Sequence, residues 1–183
     1  MRIISGRSKG TKLETLQGNN TRPTLDRVKE SLFNIIQNNI KDSIFVDVFA
    51  GSASIGLEAA SRGATKVLMC DNSKEAIKVI QRNIEKTHLE EVVKIYNMNF
   101  EQFISTKISE KVDIVYIDPP YNSNYAIQTV KMLIEKDLLK EKSIIIIETD
   151  NEERILNDLE NINVKLTDKR KYGRAHILFL AKI

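Results

Sequence analysis

Short runs of Val, Ile and Phe alternate along this chain with stretches in which apolar positions recur every three to four residues. The runs near 44–49, 67–71, 92–97, 112–118 and 143–149 have the length and composition of buried strands. Between and after them, 54–62, 73–86, 124–137 and 151–160 carry the helical period, and a short helical turn is expected after Asn99. Strands that alternate with helices pair in parallel and are covered on both faces, so their ligands bind beyond the carboxyl ends of the strands. Two more strand candidates, 162–168 and 175–182, are separated only by the basic stretch Lys169–Arg174. That leaves no room for a crossover helix, so they must pair antiparallel. The pattern predicts an α/β fold with a mostly parallel seven-stranded sheet ending in an antiparallel hairpin.

Ahead of the sheet, residues 1–15, with a turn at Ser8-Lys-Gly10, read as a small hairpin. A loop over 18–24 then leads into an amphipathic helix near 25–39, whose buried side is expected to hold Val28, Leu32, Phe33, Ile35 and Ile36, with Thr24 as its N-cap. The organisation expected is a basic appendage over 1–24 and one main domain over 25–183. A chain of 183 residues supports one such domain with a full core, and is too short for two plus a linker.

Composition narrows the chemistry. No apolar run approaches the roughly 20 residues of a membrane span, and the first residues lack the apolar stretch of a secretory signal, so a cytoplasmic protein is expected. A monomer is expected as well. A single cysteine, Cys70, cannot form an internal disulfide, and with only His88 and His176 beside it a zinc site is not expected. The net charge of +3 hides an uneven distribution. Residues 1–30 hold seven Lys/Arg against three Asp/Glu and 165–183 hold six against one, while the stretch between holds fifteen against twenty-one. Two basic ends around an acidic middle suit a polyanionic partner such as nucleic acid.

Two segments carry the candidate chemistry. In Phe45-Val-Asp-Val-Phe-Ala-Gly-Ser-Ala-Ser-Ile-Gly-Leu-Glu58, a strand runs through a small-residue turn into a helix. Gly51 lets the backbone turn and Gly56 lets the helix pack closely, leaving amides and a helix N-terminus facing a polar ligand. The spacing is not the G-x-G-x-x-G of dinucleotide proteins. With the terminal hairpin, it resembles the S-adenosylmethionine (SAM)-dependent methyltransferase fold, a Rossmann-like architecture. Asp71, at the end of the second strand, can accept both hydroxyls of a ribose. Asn99 and Phe100, after the third strand, can contact an adenine. The resemblance implies that Asp47 lies near the methionine amino group and that Phe49, Ala50, Gly51, Ser52, Ala53, Gly56 and Asn72 complete the cofactor site. Ala53 stands where such proteins commonly have Gly, and Asn99 where many have Asp.

The second segment is Val115-Tyr-Ile-Asp-Pro-Pro-Tyr121, a strand ending in an acid, two prolines and an aromatic ring. It resembles the motif of methyltransferases that modify exocyclic amines of nucleic-acid bases. Such an amine is a poor nucleophile because its lone pair is delocalised. Asp118 and the Pro119 carbonyl can accept its two hydrogens and favour a tetrahedral nitrogen, Pro119 and Pro120 stiffen the backbone without adding donors, and Tyr121 can stack on an extruded base. Attack through a pyrimidine carbon would need a cysteine nucleophile, and Cys70 reads as a core residue.

Over nearly its whole length the chain is similar to the RsmD family of 16S ribosomal RNA guanine-N2 methyltransferases. The matches are Arg2-Ile-Ile-Ser-Gly6, Arg22-Pro-Thr24, Asp26-Arg-Val-Lys-Glu-Ser-Leu-Phe33, Phe49-Ala-Gly-Ser52, Gly56-Leu-Glu-Ala59, Asp118-Pro-Pro-Tyr121 and Tyr172-Gly173. The resemblance implies a SAM cofactor and a guanine of small-subunit rRNA, in the assembled particle rather than bare RNA. Arg7, Lys9, Arg22, Thr24, Arg27, Tyr172 and Arg174 are the candidates for holding that RNA. Two alternatives stand beside it: a DNA adenine-N6 or cytosine-N4 methyltransferase, disfavoured by the lack of room for a target-recognition domain, and a non-catalytic RNA-binding assembly factor.

Overall fold

The computed structural model describes residues 1–16, 23–120 and 123–183, the first three of the opening helix by their backbone alone. Among the described residues two helices precede the sheet, α1 (Pro23–Ile35) and the single turn α2 (Gln37–Ile40). The sheet and its covering helices follow as β1 (Ile44–Asp47), α3 (Ser54–Ser61), β2 (Lys66–Asp71), α4 (Lys74–Thr87), β3 (Val93–Asn97), α5 (Phe100–Thr106) and β4 (Val112–Ile117). The chain ends with α6 (Tyr125–Glu135), β5 (Leu139–Thr149), α7 (Glu152–Leu159), β6 (Val164–Tyr172) and β7 (Ala175–Lys182). The seven strands lie in the order β3-β2-β1-β4-β5-β7-β6. The first five pair in parallel, and β7 runs antiparallel to both β5 and β6.

Strand residues alternate between two cores, as the two-residue side-chain period requires. Phe45, Val67, Met69, Ile114, Tyr116 and Ile146 point to the face covered by α1, α3 and α4. Val46, Leu68, Cys70, Val115, Ile117, Ile145 and Ile147 point to the face covered by α5, α6 and α7. Both faces are buried, which is why these strands read as continuous apolar runs.

Four sequence expectations need adjustment. The helix read over 25–39 starts at Pro23, which puts Thr24 inside its first turn and not at the N-cap, and it is interrupted at Ile36, whose backbone (φ −96°, ψ 9°) leaves the helical region before α2. Ile35 is 36% exposed, unlike Val28, Leu32, Phe33 and Ile36, because it sits about 90° from the centre of their stripe. The last hairpin is longer than its apolar pattern: β6 runs on through Lys169, Arg170, Lys171 and Tyr172, and the turn shrinks to Gly173 (φ +63°) and Arg174. Those charged residues form a sheet edge, where solvated side chains discourage pairing with another chain. Residues 1–13 fold back as expected, but through the single bridge Arg2–Lys12 rather than as a strand pair.

That N-terminal segment is firmly docked. Ile3 and Leu13 are buried in the same core as α1 and α3. Gly6 lies so close to α3 that an added Cβ would meet the Ser61 carbonyl oxygen at 1.8 Å. Beneath it is a charge cluster around Glu58, which has no exposed surface. Its carboxylate accepts hydrogen bonds from the Ile4 and Ser5 amides at 2.8 and 3.0 Å and from Arg62 Nε at 2.8 Å, and Lys29 Nζ lies 3.2 Å away. Lys29 also donates to the Arg2 carbonyl at 2.6 Å and to Ser54 Oγ at 3.0 Å. Burial pushes the Lys29 ammonium below its ordinary pKa, against the pull of Glu58.

Candidate active site

A cavity of about 740 Å³ opens at the carboxyl ends of β1, β2, β4 and β5. The loop after β1 forms its floor by reaching to both neighbouring strands. Val48 N donates to Tyr116 O at 3.1 Å and Ala50 N to Cys70 O at 2.9 Å. Gly51 takes φ +56° and Ala53, the N-cap of α3, takes φ +64°. The left-handed region disfavours a Cβ by about 1–2 kcal/mol, so Ala53 holds this geometry at a cost that glycine would avoid. Gly56 is needed for packing, since a Cβ there would come within 2.4 Å of Met69 Sδ.

Asp47 is buried at the back of this loop. Its Oδ2 accepts from Gly56 N at 3.2 Å, while Oδ1, equally buried, has no hydrogen-bond partner among the described residues. Burial raises its carboxyl to about 7, with Asp71 adding to the shift. Asp71 is more than a solvated strand-end acid: Oδ2 accepts from Gly51 N at 2.9 Å and Oδ1 from Ser73 N at 2.8 Å, so the carboxylate fastens the loop. Each of these oxygens retains acceptor capacity toward the cavity. Asn72 beside it is exposed on the cavity wall. Asn99 caps α5 through Oδ1, which accepts from Gln102 N at 2.8 Å. That leaves its amide hydrogens for a ligand.

Asp118, Pro119 and Pro120 line the same cavity. Asp118 opens into it, and the surrounding protein pushes its carboxyl well above the usual range, with Glu148 and Asp47 adding to the shift. Because the mouth admits water, the rise is moderated until a ligand closes it. The Pro120 carbonyl is engaged by Ser123, from the amide at 3.3 Å and from Oγ at 2.8 Å. The Pro119 carbonyl has no such partner among the described residues. Tyr121 lies outside the described residues.

Of the expected cofactor residues, Asp47, Phe49, Ala50, Gly51, Ser52, Asp71, Asn72, Asn99 and Phe100 line the cavity, whereas Ala53 and Gly56 are buried behind it and shape its wall. The structure adds residues that were not singled out. Tyr125, at the start of α6, joins Phe49 and Phe100, with ring centroids 6.3 and 5.0 Å from theirs. Glu148, at the end of β5, accepts a hydrogen bond from the Tyr116 hydroxyl. Lys29 lines the α1 side. Two of them left a trace in the sequence that does not by itself point to this cavity: Glu148 is a strand-end acid like Asp71 and Asp118, and Lys29 is a lone cation in an apolar helical stripe.

The expected RNA residues are dispersed. Arg7 pairs with Glu91 at 2.8 Å and is 46% exposed. Lys9 and Arg27 share a second, smaller cavity of about 510 Å³ with Arg2 and the acids Asp26 and Glu30. Tyr172 hydrogen-bonds Ser31 of α1, which ties the terminal hairpin to the helix beside the main cavity, and Arg174 is exposed at the hairpin tip. Arg22 and the Thr24 side chain lie outside the described residues.

Residues 1–181 match the family model described as conserved hypothetical protein 95. A relative from Haemophilus influenzae, "Ribosomal RNA small subunit methyltransferase D", is 35% identical over 85% of this chain and 82% of its own length. The protein of the same name from Escherichia coli strain K12 is 31% identical over 83% of this chain and 76% of its own. Among solved structures, yhhF from Escherichia coli superposes with a TM-score of 0.85 at 28% identity, covering 100% of this chain and 97% of that one. No helix among the described residues is long and apolar enough to cross a membrane.

Proposed function

The chain belongs to the conserved hypothetical protein 95 family, the RsmD methyltransferases, and on that premise we propose that it methylates N2 of a guanine in 16S ribosomal RNA from SAM. The observation that carries this reading is one cavity lined together by Asp118 and Pro119, by Asp47, whose Oδ1 is buried without a partner among the described residues, and by the rings of Phe49, Phe100 and Tyr125.

The residues fit the cofactor. Asp47 Oδ1 is an acceptor awaiting a cationic donor, such as the ammonium of the methionine moiety. Asp71, already held by two loop amides, turns its remaining acceptor capacity to the ribose hydroxyls. Phe100 and Phe49 pack on the adenine, and the Asn99 amide donates to its edge. When bound, SAM supplies an electrophilic methyl group. The chain's own part is to orient the acceptor: Asp118 and the Pro119 carbonyl take the two amine hydrogens and pull the nitrogen away from planarity, concentrating its lone pair. The N-terminal segment, α1 and the terminal hairpin receive the RNA, with Arg7, Lys9, Arg27, Tyr172 and Arg174 as the contacts among the described residues.

The test compares nucleosides of 16S RNA and of genomic DNA by mass spectrometry from a strain lacking the protein and from its parent, then incubates the mutant's small-subunit particles and, separately, its DNA with purified protein and labelled SAM. N2-methylguanine should be missing from the mutant and restored in vitro. Restoration of methyladenine or methylcytosine in DNA, or particle binding with no methylation at all, would overturn the reading in favour of the corresponding alternative.

A further inference from the structure

Resting on that function, a second acid in the cavity bears on which base the enzyme accepts. β4 and β5 pair in parallel with Tyr116 opposite Ile146 and Ile117 opposite Ile147, so continuing the register brings Asp118 beside Glu148 at the carboxyl ends of adjacent strands. Tyr116 and Ile146 point into the same core, and residues two further along a strand return to the same side. Asp118 and Glu148 therefore project together into the cavity they both line. Oε2 of Glu148 accepts from the Tyr116 hydroxyl, and among the described residues Oε1 has no such partner. The Lys29 ammonium does not serve either acid, since its hydrogens go to the Arg2 carbonyl, Ser54 Oγ and Glu58.

Two neighbouring carboxyl groups suit neighbouring donors. Guanine offers them, with the ring N1–H adjacent to the N2 amine. Adenine and cytosine carry an unprotonated ring nitrogen beside their amines, so a carboxylate there would face a lone pair. The Asp118-Pro119 pair can hold any of these amines and cannot by itself choose between them. We propose that Glu148 is the base-selecting residue: its Oε1 accepts the guanine N1–H, with the Tyr116 hydroxyl fixing its orientation, while Asp118 and the Pro119 carbonyl hold the N2 hydrogens. A site built around such a bond disfavours a base lacking the hydrogen because the acceptor is left unpaired once the base covers it.

The probe is 2-aminopurine, which keeps the 2-amine but has no hydrogen on N1. Small-subunit particles are reconstituted with guanine or 2-aminopurine at the methylated position, and methyl transfer from SAM is measured for wild type and Glu148→Gln. Wild type should prefer guanine by about 10²-fold. Glu148→Gln is isosteric and still accepts from Tyr116, so SAM affinity should hold while the preference narrows by about tenfold, because its amide can donate to the bare ring nitrogen. Equal wild-type rates on the two particles, or an unchanged preference in Glu148→Gln, would overturn the proposal. Should Glu148→Gln fail to fold, Glu148→Ala takes its place and must likewise narrow the preference, because 2-aminopurine also lacks the guanine O6 and the wild-type ratio alone does not isolate the N1–H. Absence of methylation of either particle by wild type would instead refute the underlying function.

Discussion

Two carboxyl groups give the sharpest tests at the level of single residues. If Asp118 orients the amine, Asp118→Ala should cut single-turnover methylation by about 10²-fold or more while SAM affinity stays within a few fold. Near-normal turnover would remove Asp118 from the mechanism. Asp47 predicts a pH dependence. Its folded pKa of about 7 exceeds the usual 3.8, so its contribution to stability is complete below 3.8 and is lost as pH rises through about 7. Binding an ammonium at Oδ1 needs the ionised form, so SAM affinity should rise about tenfold per pH unit up to about 7 and then level off. Asp47→Asn should flatten that profile in calorimetry, weaken SAM binding at pH 8 and raise the melting temperature of the ligand-free protein there. A profile unchanged by the substitution would mean that another group titrates.

At the scale of elements, two contacts hold the cavity's walls. α3 rests on β2 through Gly56, and the 2.4 Å approach of a new Cβ to the buried Met69 sulfur means that Gly56→Ala must displace one or the other. Overpacking of this kind costs about 1–3 kcal/mol, and because Gly56 N also holds Asp47, SAM affinity should fall with it. A denaturation midpoint equal to wild type would show that the helix has slack. α1 and the N-terminal segment are joined to α3 by Lys29 and Glu58. Breaking a buried ion pair costs about 3–5 kcal/mol, and since Arg62 remains on Glu58, Lys29→Met should fall near the lower figure. Urea denaturation measures it, and a loss below about 1 kcal/mol would show that Arg62 and the two backbone amides are enough for Glu58.

The whole molecule sets an acidic cavity between basic ends. If the N-terminal segment, α1 and the terminal hairpin hold RNA, a combined Arg7→Ala, Lys9→Ala, Arg27→Ala and Arg174→Ala variant should bind small-subunit particles more weakly. Its dependence on log salt should flatten by about 0.7–0.9 for each phosphate that is no longer neutralised, with SAM binding unchanged. Affinity equal to wild type across the titration would place the RNA track elsewhere.

The sheet was legible because its strands are buried on both faces: Phe45-Val46 or Ile145-Ile146-Ile147 leave no other use for so many β-branched and aromatic residues in a row. Strand-end residues such as Asp71 and Asp118 were legible because ligands of such sheets bind at that edge. The extension of β6 through Lys169–Tyr172 was not, because an edge strand solvated on both faces has no apolar period to read. Nor were the groups that complete the cavity. Tyr125, Lys29 and Glu148 come from three elements far apart in the chain, and only the strand order that sets β5 beside β4, together with the packing of α1 and α6 over the edge, brings them to one point. The sequence by itself determined the fold class and the chemistry of the two motifs, since both rest on local period and on residues close in the chain. The tertiary structure alone decided which other side chains face that chemistry, because those neighbours are set by the sheet's register and not by distance along the chain.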